Sequence, residues 1–192
     1  MAWYCTCIGE TGATIYVTDI ESRNRKTSEL PGSVEDTAEQ LTERGGVGIP
    51  VRLDHTDDDA VAETIKREHG VLDLLVANAF NGNAIPFKSD PFWKLSLTNW
   101  HNMIDNGLRN HLVAAWHAAP LLNRRKGRIV LTGLKTSDEG IMGNLFNDLA
   151  MNGISKLTHA LNYELSTHGV TSVAISPGFT RTEAIMAVMG GN

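Results

Sequence analysis

Histidine and cysteine are the side chains of this chain best suited to hold a metal ion, and their spacing decides whether they could do so. The sequence has seven histidines and two cysteines. His111 and His117 lie six residues apart and so on different faces of a helix, and no histidine pair with metal-ligand spacing has a nearby carboxylate. Cys5 and Cys7 would need two further ligands, which the sequence does not show. We therefore predict no metal site.

Hydrolytic chemistry also lacks its sequence signal. A serine nucleophile on a strand-to-helix turn is marked by Gly-x-Ser-x-Gly, and this motif does not occur.

The formal charge of −5 argues against nucleic acid or an anionic membrane as a partner. No apolar run approaches the roughly 18 residues of a membrane-spanning helix, and the first residues do not follow the pattern of a signal peptide. Two cysteines cannot build a disulfide framework, so we expect a cytoplasmic protein.

Short apolar runs alternate with amphipathic stretches, a pattern typical of β-α-β units and a parallel sheet. We predict strands at residues 13–18, 47–53, 72–76, 128–132 and 171–175. Helices are expected at residues 33–44, 57–68 and 145–166, and from Thr98 to just before Pro120. The sequence therefore predicts an α/β fold with a mostly parallel sheet.

Two of the predicted helices begin with a capping residue. Ser33 precedes the first helix with Asp36 three residues later, close to a capping box, and Thr98 is expected to cap the third helix. The third helix carries a stripe with the helical period, formed by Trp100, Ile104, Leu108, Leu112 and Ala115. Such a stripe is either buried or faces a partner.

The order and spacing of several short pieces resemble the short-chain dehydrogenase/reductase family over about residues 9–187. The pieces are Gly12-Ala13-Thr14-Ile15-Tyr16-Val17, Asp54, Leu74-Leu75-Val76-Ala77-Asn78-Ala79, Gly127-Arg128-Ile129-Val130, Glu164-Leu165 with His168-Gly169-Val170, and Ser176-Pro177-Gly178 with Thr182-Glu183. The resemblance implies a Rossmann-like three-layer fold and an NAD(P)-dependent oxidoreductase that acts on a small alcohol or carbonyl compound.

The same resemblance implies a set of cofactor contacts. They are Asp19, Asp54, Asn78, Ala79, Pro177, Gly178 and Thr182. Asp19 would accept hydrogen bonds from the adenosine ribose and repel a 2′-phosphate, which favours NAD over NADP. Asp54 would meet the adenine edge, and the last three residues would border the nicotinamide. A second interpretation stays open, because any parallel sheet needs polar strand ends and tight turns.

The catalytic positions of the family are substituted. The family uses a Tyr as general acid/base, a Lys four residues later and a Ser that orients the carbonyl. Counting back from Glu164 places the Tyr position at Asn147 and the Lys position at Met151, with the Ser position near Thr132 or Gly133. No Tyr-x-x-x-Lys occurs in the chain. Since an Asn amide cannot exchange a proton near neutral pH, we expect no turnover.

The Tyr and Lys positions have an alternative assignment, and so does the position of a further catalytic residue, an Asn. A register shifted along the helix offers Asn152 and Lys156, which restores a lysine but no tyrosine. The Asn that relays protons in the family would map near Asn106 or Gly107.

The family's diphosphate loop is the other missing feature. Glycines are needed there because a side chain would keep the backbone away from phosphate. The sequence contains neither Gly-x-x-x-Gly-x-Gly nor Gly-x-Gly-x-x-Gly. We expect a single incomplete domain over residues 1–192 that lacks the first strand, the Gly-rich loop and the last strand of the family, with a gap between the two halves of its sheet.

Three functional hypotheses follow from the resemblance. The chain is a family member without turnover that survives as a binding or pairing partner, an active NAD-dependent oxidoreductase completed by a partner or a longer reading frame, or a decayed gene product. For the first, a homodimer is implied through helices 98–118 and 145–166, which form the dimer face in the family. Neither nucleic acid nor a membrane is expected as a partner.

Overall fold

The computed structural model describes residues 7–28, 31–66, 70–80, 90–133 and 145–177. These residues fall into two compact units that divide between His55 and Thr56. Every pairing between the described strands is parallel, so the predicted α/β fold with parallel strands is confirmed. Observed strand and helix bounds differ from the predicted ones by at most two residues, except in the third predicted helix.

The first unit contains a two-stranded parallel sheet and one helix. Strand β1 (Thr14–Asp19) pairs with β2 (Val47–Arg52), and helix α1 (Val34–Glu43) lies between them in the chain. Buried Val17 from β1 packs with three apolar residues on one face of α1, which are Val34, Ala38 and Leu41. A single amphipathic helix face thus closes the small core of this unit.

A glycine lets α1 lie directly against β2. A Cβ atom added at Gly48 would stand 2.2 Å from the carbonyl oxygen of Ala38, which is closer than any two such atoms approach. The predicted cap at the start of α1 is confirmed. Ser33 Oγ accepts the backbone N–H of Asp36 at 3.1 Å and donates its own proton to Asp36 Oδ2 at 2.7 Å. The cap therefore fixes the residue at which α1 begins.

The second unit contains a three-stranded parallel sheet in the order β3-β4-β5. The strands are β3 (Leu74–Ala77), β4 (Arg128–Thr132) and β5 (Thr171–Ile175), and the helices are α2 (Asp58–Lys66), α3 (Thr98–Trp100), α4 (Asn110–Asn123) and α5 (Leu145–Leu165). The core lies where α4 and α5 pack on the central strand β4, around fully buried Ile129 and Leu131. Alternating residues of β4 point to opposite faces of the sheet, so Arg128 and Val130 are less buried.

The third predicted helix differs from its prediction in two ways. Thr98 is the first residue of α3 rather than its cap, and the nine residues His101–Arg109 form a π-helical segment between α3 and α4. The helix also continues through Pro120, which lies inside α4. A proline removes the hydrogen bond to the residue four positions earlier, here Trp116. Since Trp116 and Pro120 are both exposed, water can bind the carbonyl that the proline leaves without a donor.

Candidate functional site

The carboxyl edge of the first sheet carries the two predicted carboxylates. Asp19 is the last residue of β1 and pairs with Arg52, and Asp54 lies two residues beyond Arg52, after the end of β2. Asp19 is half-buried and its Oδ1 accepts the backbone N–H of Glu21 at 3.1 Å, whereas Asp54 is exposed. The structure thus brings these two predicted residues to one edge of one sheet.

His55 belongs to the same edge and was not identified from the sequence. Its Nε2 lies 3.2 Å from Oγ1 of Thr18, and the ring is partly buried. Burial lowers the pKa of His55, and the negative charges of Asp19 and Asp54 only partly oppose this effect. The imidazole is therefore mainly neutral at pH 7. Its position directly after Asp54 was the available sequence signal.

The turn after Asp19 is held by ion pairs to α1. We call Arg23 with Glu35, Asp36 and Glu39 the Arg23 cluster. The Arg23 guanidinium donates from Nε to Asp36 Oδ1 at 2.9 Å and from Nη1 to Glu39 Oε1 at 2.7 Å. The backbone N–H of Arg23 donates to Glu35 Oε2 at 3.0 Å.

These contacts keep the cluster charged. Hydrogen bonds to Glu39 and Asp36 raise the pKa of Arg23, and the bonds from Ser33 and Arg23 lower the pKa of Asp36. The bond from Arg23 likewise lowers the pKa of Glu39. All three side chains are solvent-exposed in part, at 47% for Arg23, 40% for Asp36 and 61% for Glu39, so water screens the attraction.

In the second unit, the structure joins three of the predicted residues at the carboxyl ends of β3 and β4. Thr132 Oγ1 donates to Asn78 Oδ1 at 2.8 Å, across neighbouring parallel strands. Ala79 follows Asn78, and its carbonyl oxygen accepts a hydrogen bond from Asn110. Polar groups therefore lie at the carboxyl ends of β3 and β4 within this unit.

Asn110 organises this edge and was missed in the sequence. Its Nδ2 donates to the carbonyl oxygens of Ala79 at 2.9 Å and Asn106 at 3.1 Å. Because both amide hydrogens are used, Asn110 Oδ1 must accept from His111 Nδ1, 2.9 Å away. Both Asn110 and His111 are buried. A pair of polar residues within an otherwise apolar helix face was the signal for them.

Asn106 and Gly107, the two candidates for the relay position, differ from Asn110 in their contacts. The carbonyl oxygen of Asn106 accepts from Asn110, but its side chain bonds elsewhere. Asn106 Nδ2 donates to the carbonyl of His101 at 3.3 Å, within the π-helical segment. Gly107 is covered by Phe80, since a Cβ atom added there would lie 2.9 Å from the Phe80 ring. A side chain at position 107 would therefore displace that ring.

Asn147 and Met151 lie one turn apart on α5, as their spacing predicts. Met151 is buried in the main core of the second unit together with Ala77, Leu131 and Ile154. Asn147 is partly buried in the first turn of the helix. An amide and a thioether stand where the family resemblance places a phenol and an ammonium, and neither can transfer a proton near neutral pH.

The shifted register does not bring a lysine to this core. Asn152 and Lys156 are both exposed, and Asn152 Nδ2 donates to the carbonyl of Asp148 at 3.0 Å. Lys156 instead borders an apolar groove between α5 and the π-helical segment with the start of α4. Of the remaining predicted residues, Pro177 lies exposed just beyond β5, while Gly178 and Thr182 lie outside the described residues.

In the part of the chain that the structure describes, no three His, Cys, Asp or Glu side chains converge on one point. Among the described helices, none combines the length and the apolar character needed to cross a bilayer.

Parallel β-α-β units with polar groups at the carboxyl ends of their strands define a Rossmann-like α/β protein. A family model described as enoyl-(acyl carrier protein) reductase matches residues 5–192. The chain therefore belongs to the short-chain dehydrogenase/reductase family, whose members are oxidoreductases that use nicotinamide cofactors.

Individual relatives agree with this assignment. The chain is 29% identical over 190 residues to dehydrogenase/reductase SDR family member 1 of Mus musculus, covering 94% of this chain and 56% of the relative. It therefore spans little more than half of that protein. A short-chain dehydrogenase from Mycobacterium thermoresistibile has a TM-score of 0.85 at 21% identity, covering 100% of this chain and 68% of that one. Carveol dehydrogenase from Mycobacterium avium in complex with NAD has a TM-score of 0.82 at 22% identity, covering 96% and 68%.

Proposed function

We propose that this chain is a short-chain dehydrogenase/reductase-like protein that binds NAD but does not oxidise alcohols or reduce carbonyls by the tyrosine–lysine chemistry of its family. The observation that carries the proposal is the burial of Met151 among Ala77, Leu131 and Ile154. At that position an ammonium would have to serve a catalytic tyrosine, and the preceding turn offers Asn147 instead. Loss of a positioned acid/base alone lowers a rate by about 10²–10⁴-fold.

The proposed cofactor contacts on the adenosine side are Asp19 and Asp54. The half-buried carboxylate of Asp19 binds the Glu21 N–H with one oxygen, and a carboxylate has further acceptor capacity for a ribose hydroxyl. Its place at the carboxyl end of a parallel strand is where open α/β sheets bind ligands. These residues fit the adenosine part of NAD.

In the second unit we propose Asn78 and Ala79 as further cofactor contacts, with Thr132 at the position nearest the family's serine. By the family resemblance, Pro177, Gly178 and Thr182 would border the nicotinamide. NAD, when bound, would supply a hydride acceptor. The Thr132 hydroxyl holds the Asn78 amide, and Asn110 holds the Ala79 carbonyl, so this edge is ordered by the chain's own residues. Order of this kind serves binding and does not by itself supply a proton donor.

A titration with NADH tests the proposal. We expect saturable enhancement of NADH fluorescence in the wild type, a loss of affinity in Asp19→Asn, and no change in Asp73→Asn, an exposed carboxylate of the second unit. No oxidation of simple alcohols is expected in the same preparation. Saturable binding together with alcohol oxidation by this polypeptide alone would contradict the proposed lack of turnover.

A second candidate role, pairing with another copy through helices 98–118 and 145–166, is favoured by an apolar surface on these helices. Ile104, Leu108, Leu112 and Leu157 line an open groove of about 410 Å³. Leu112 remains 42% exposed and Trp116, one turn further, 74% exposed. The predicted stripe is thus buried at Ala115 and open at Leu112, as expected for a helix that packs on its own core and on a partner.

Light scattering after size-exclusion chromatography tests the pairing role. We expect a dimer in the wild type and a monomer in Leu112→Glu. The matched control is Trp93→Lys, because Trp93 is 71% exposed and lies outside both helices. A monomeric wild type at micromolar concentration contradicts the dimer. An absence of cooperative unfolding would instead favour the interpretation as a decayed product.

A further inference from the structure

The Arg23 cluster bears on which dinucleotide the first unit accepts. Arg23 lies four residues after Asp19, in a turn closed by two backbone hydrogen bonds of 3.1 Å between Ser22 and Arg25. Its guanidinium offers five N–H donors. Nε, Nη1 and Nη2 all donate to Asp36 or Glu39, and Nη2 binds both carboxylates. The guanidinium therefore has few N–H donors left for another anion.

NADP differs from NAD by a phosphate on the 2′-hydroxyl of the adenosine ribose, and an arginine near the acidic strand end is the group that can accept that phosphate. Here the carboxylates of Asp36 and Glu39 outnumber the charge of Arg23, and Glu35 adds a third beside its backbone N–H. A doubly charged phosphate would have to displace two carboxylates and then remain close to both.

We propose that Arg23 determines dinucleotide specificity through its ion pairs. Asp36 and Glu39 occupy its guanidinium, so that it does not bind a 2′-phosphate, and the chain therefore selects NAD(H) over NADP(H). The inference rests on the proposed NAD-binding function and adds to it. It differs from repulsion by Asp19 alone, because it assigns part of the selectivity to two residues of α1 that need not touch the dinucleotide.

The other basic residues of the turn differ from Arg23 in their contacts. Lys26 Nζ donates to the carbonyl oxygen of Gly32. Arg25 shares the backbone pairing with Ser22, and its side chain is exposed and is not part of the Arg23 cluster. Arg25 is therefore the matched control: it carries the same charge, two residues away, without the two carboxylates.

The test is the ratio of NADPH to NADH affinity, measured by fluorescence titration at fixed ionic strength. Asp36→Asn/Glu39→Gln removes both negative charges and leaves only neutral amide oxygens beside the guanidinium, which a phosphate can displace. Because a charged hydrogen bond to the 2′-phosphate can then form, NADPH affinity should rise roughly tenfold relative to NADH. Adding Arg23→Gln should abolish the gain, and adding Arg25→Gln should preserve it.

Because Asp36 also binds the capping Ser33, Glu39→Gln alone provides a variant with the cap intact, and it should show a smaller shift in the same direction. Wild type that binds NADH, with a ratio unchanged in the double variant or a gain that survives Arg23→Gln, overturns the inference and leaves the proposed function standing. If neither wild type nor the double variant binds either dinucleotide, the proposed function fails and the inference with it. A double variant that binds NADPH when wild type binds neither supports the role of Arg23.

Discussion

Thr132 and Asn78 are joined across two neighbouring strands by a hydrogen bond of 2.8 Å in which the hydroxyl donates to the amide oxygen. This bond orients the amide, because Asn78 Oδ1 accepts and its Nδ2 is turned the other way. The sequence indicates these two residues for different reasons, Thr132 at the family's serine position and Asn78 as part of a turn motif. Their contact makes them one structural feature.

Thr132→Val should remove this bond while keeping the shape of the side chain. We expect a loss in the free energy of unfolding of about 1 kcal/mol, measured by urea denaturation. The exposed Thr171 on β5 gives the control, since Thr171→Val should change stability by less than about 0.5 kcal/mol. Equal effects of both substitutions would show that the Thr132 hydroxyl does not hold Asn78.

Met151→Lys should fail to restore a catalytic lysine, because the side chain would enter an apolar core. Burial of an unpaired ammonium costs several kcal/mol, so we expect a loss of stability of about 3 kcal/mol or more. Met151→Leu is the matched control and should cost less than about 1.5 kcal/mol. A Met151→Lys variant as stable as wild type would mean that this position opens to solvent, and would weaken the proposed lack of turnover.

Asn110→Leu should destabilise the second unit. The substitution leaves the Ala79 carbonyl and the His111 Nδ1–H without the partner they have in the structure. An unsatisfied buried polar group costs about 1–3 kcal/mol, so the combined loss should exceed that of Thr132→Val. Hydrogen exchange should also increase at residues next to Ala79. The exposed Asn123, at the end of α4, provides the control in Asn123→Leu, and an equally large loss there would contradict this role for Asn110.

The pH dependence of stability should report on His55. Burial lowers the pKa of His55 in the folded chain below its unfolded value of about 6.5, so the folded state binds fewer protons. The stabilising contribution is therefore complete above pH 6.5 or so and is lost as the pH falls through the folded pKa. His55→Gln should flatten this acid limb of the unfolding curve, while replacement of the exposed His168 should not. A limb that is the same in both variants would exclude His55 as its cause.

The repeated order of apolar and amphipathic segments was sufficient to predict parallel β-α-β units, because the local spacing of apolar residues distinguishes strands from helices. It was also sufficient for the cap at Ser33, since a cap joins residues only three positions apart. The same local rules were wrong at Pro120. They exclude proline from a helix interior, whereas the outcome depends on whether the lost bond faces water, and that depends on how the helix packs.

The sequence by itself determined which residue types stand at the strand ends and that no tyrosine is followed by a lysine at four residues. Only the tertiary structure decided which of these residues act together. Asn110 reaches Ala79 from 31 residues away, and Arg23 meets Glu39 from 16 residues away. Such contacts arise when a helix packs against the end of a strand, and no local pattern encodes them because packing brings together residues that the chain order keeps apart.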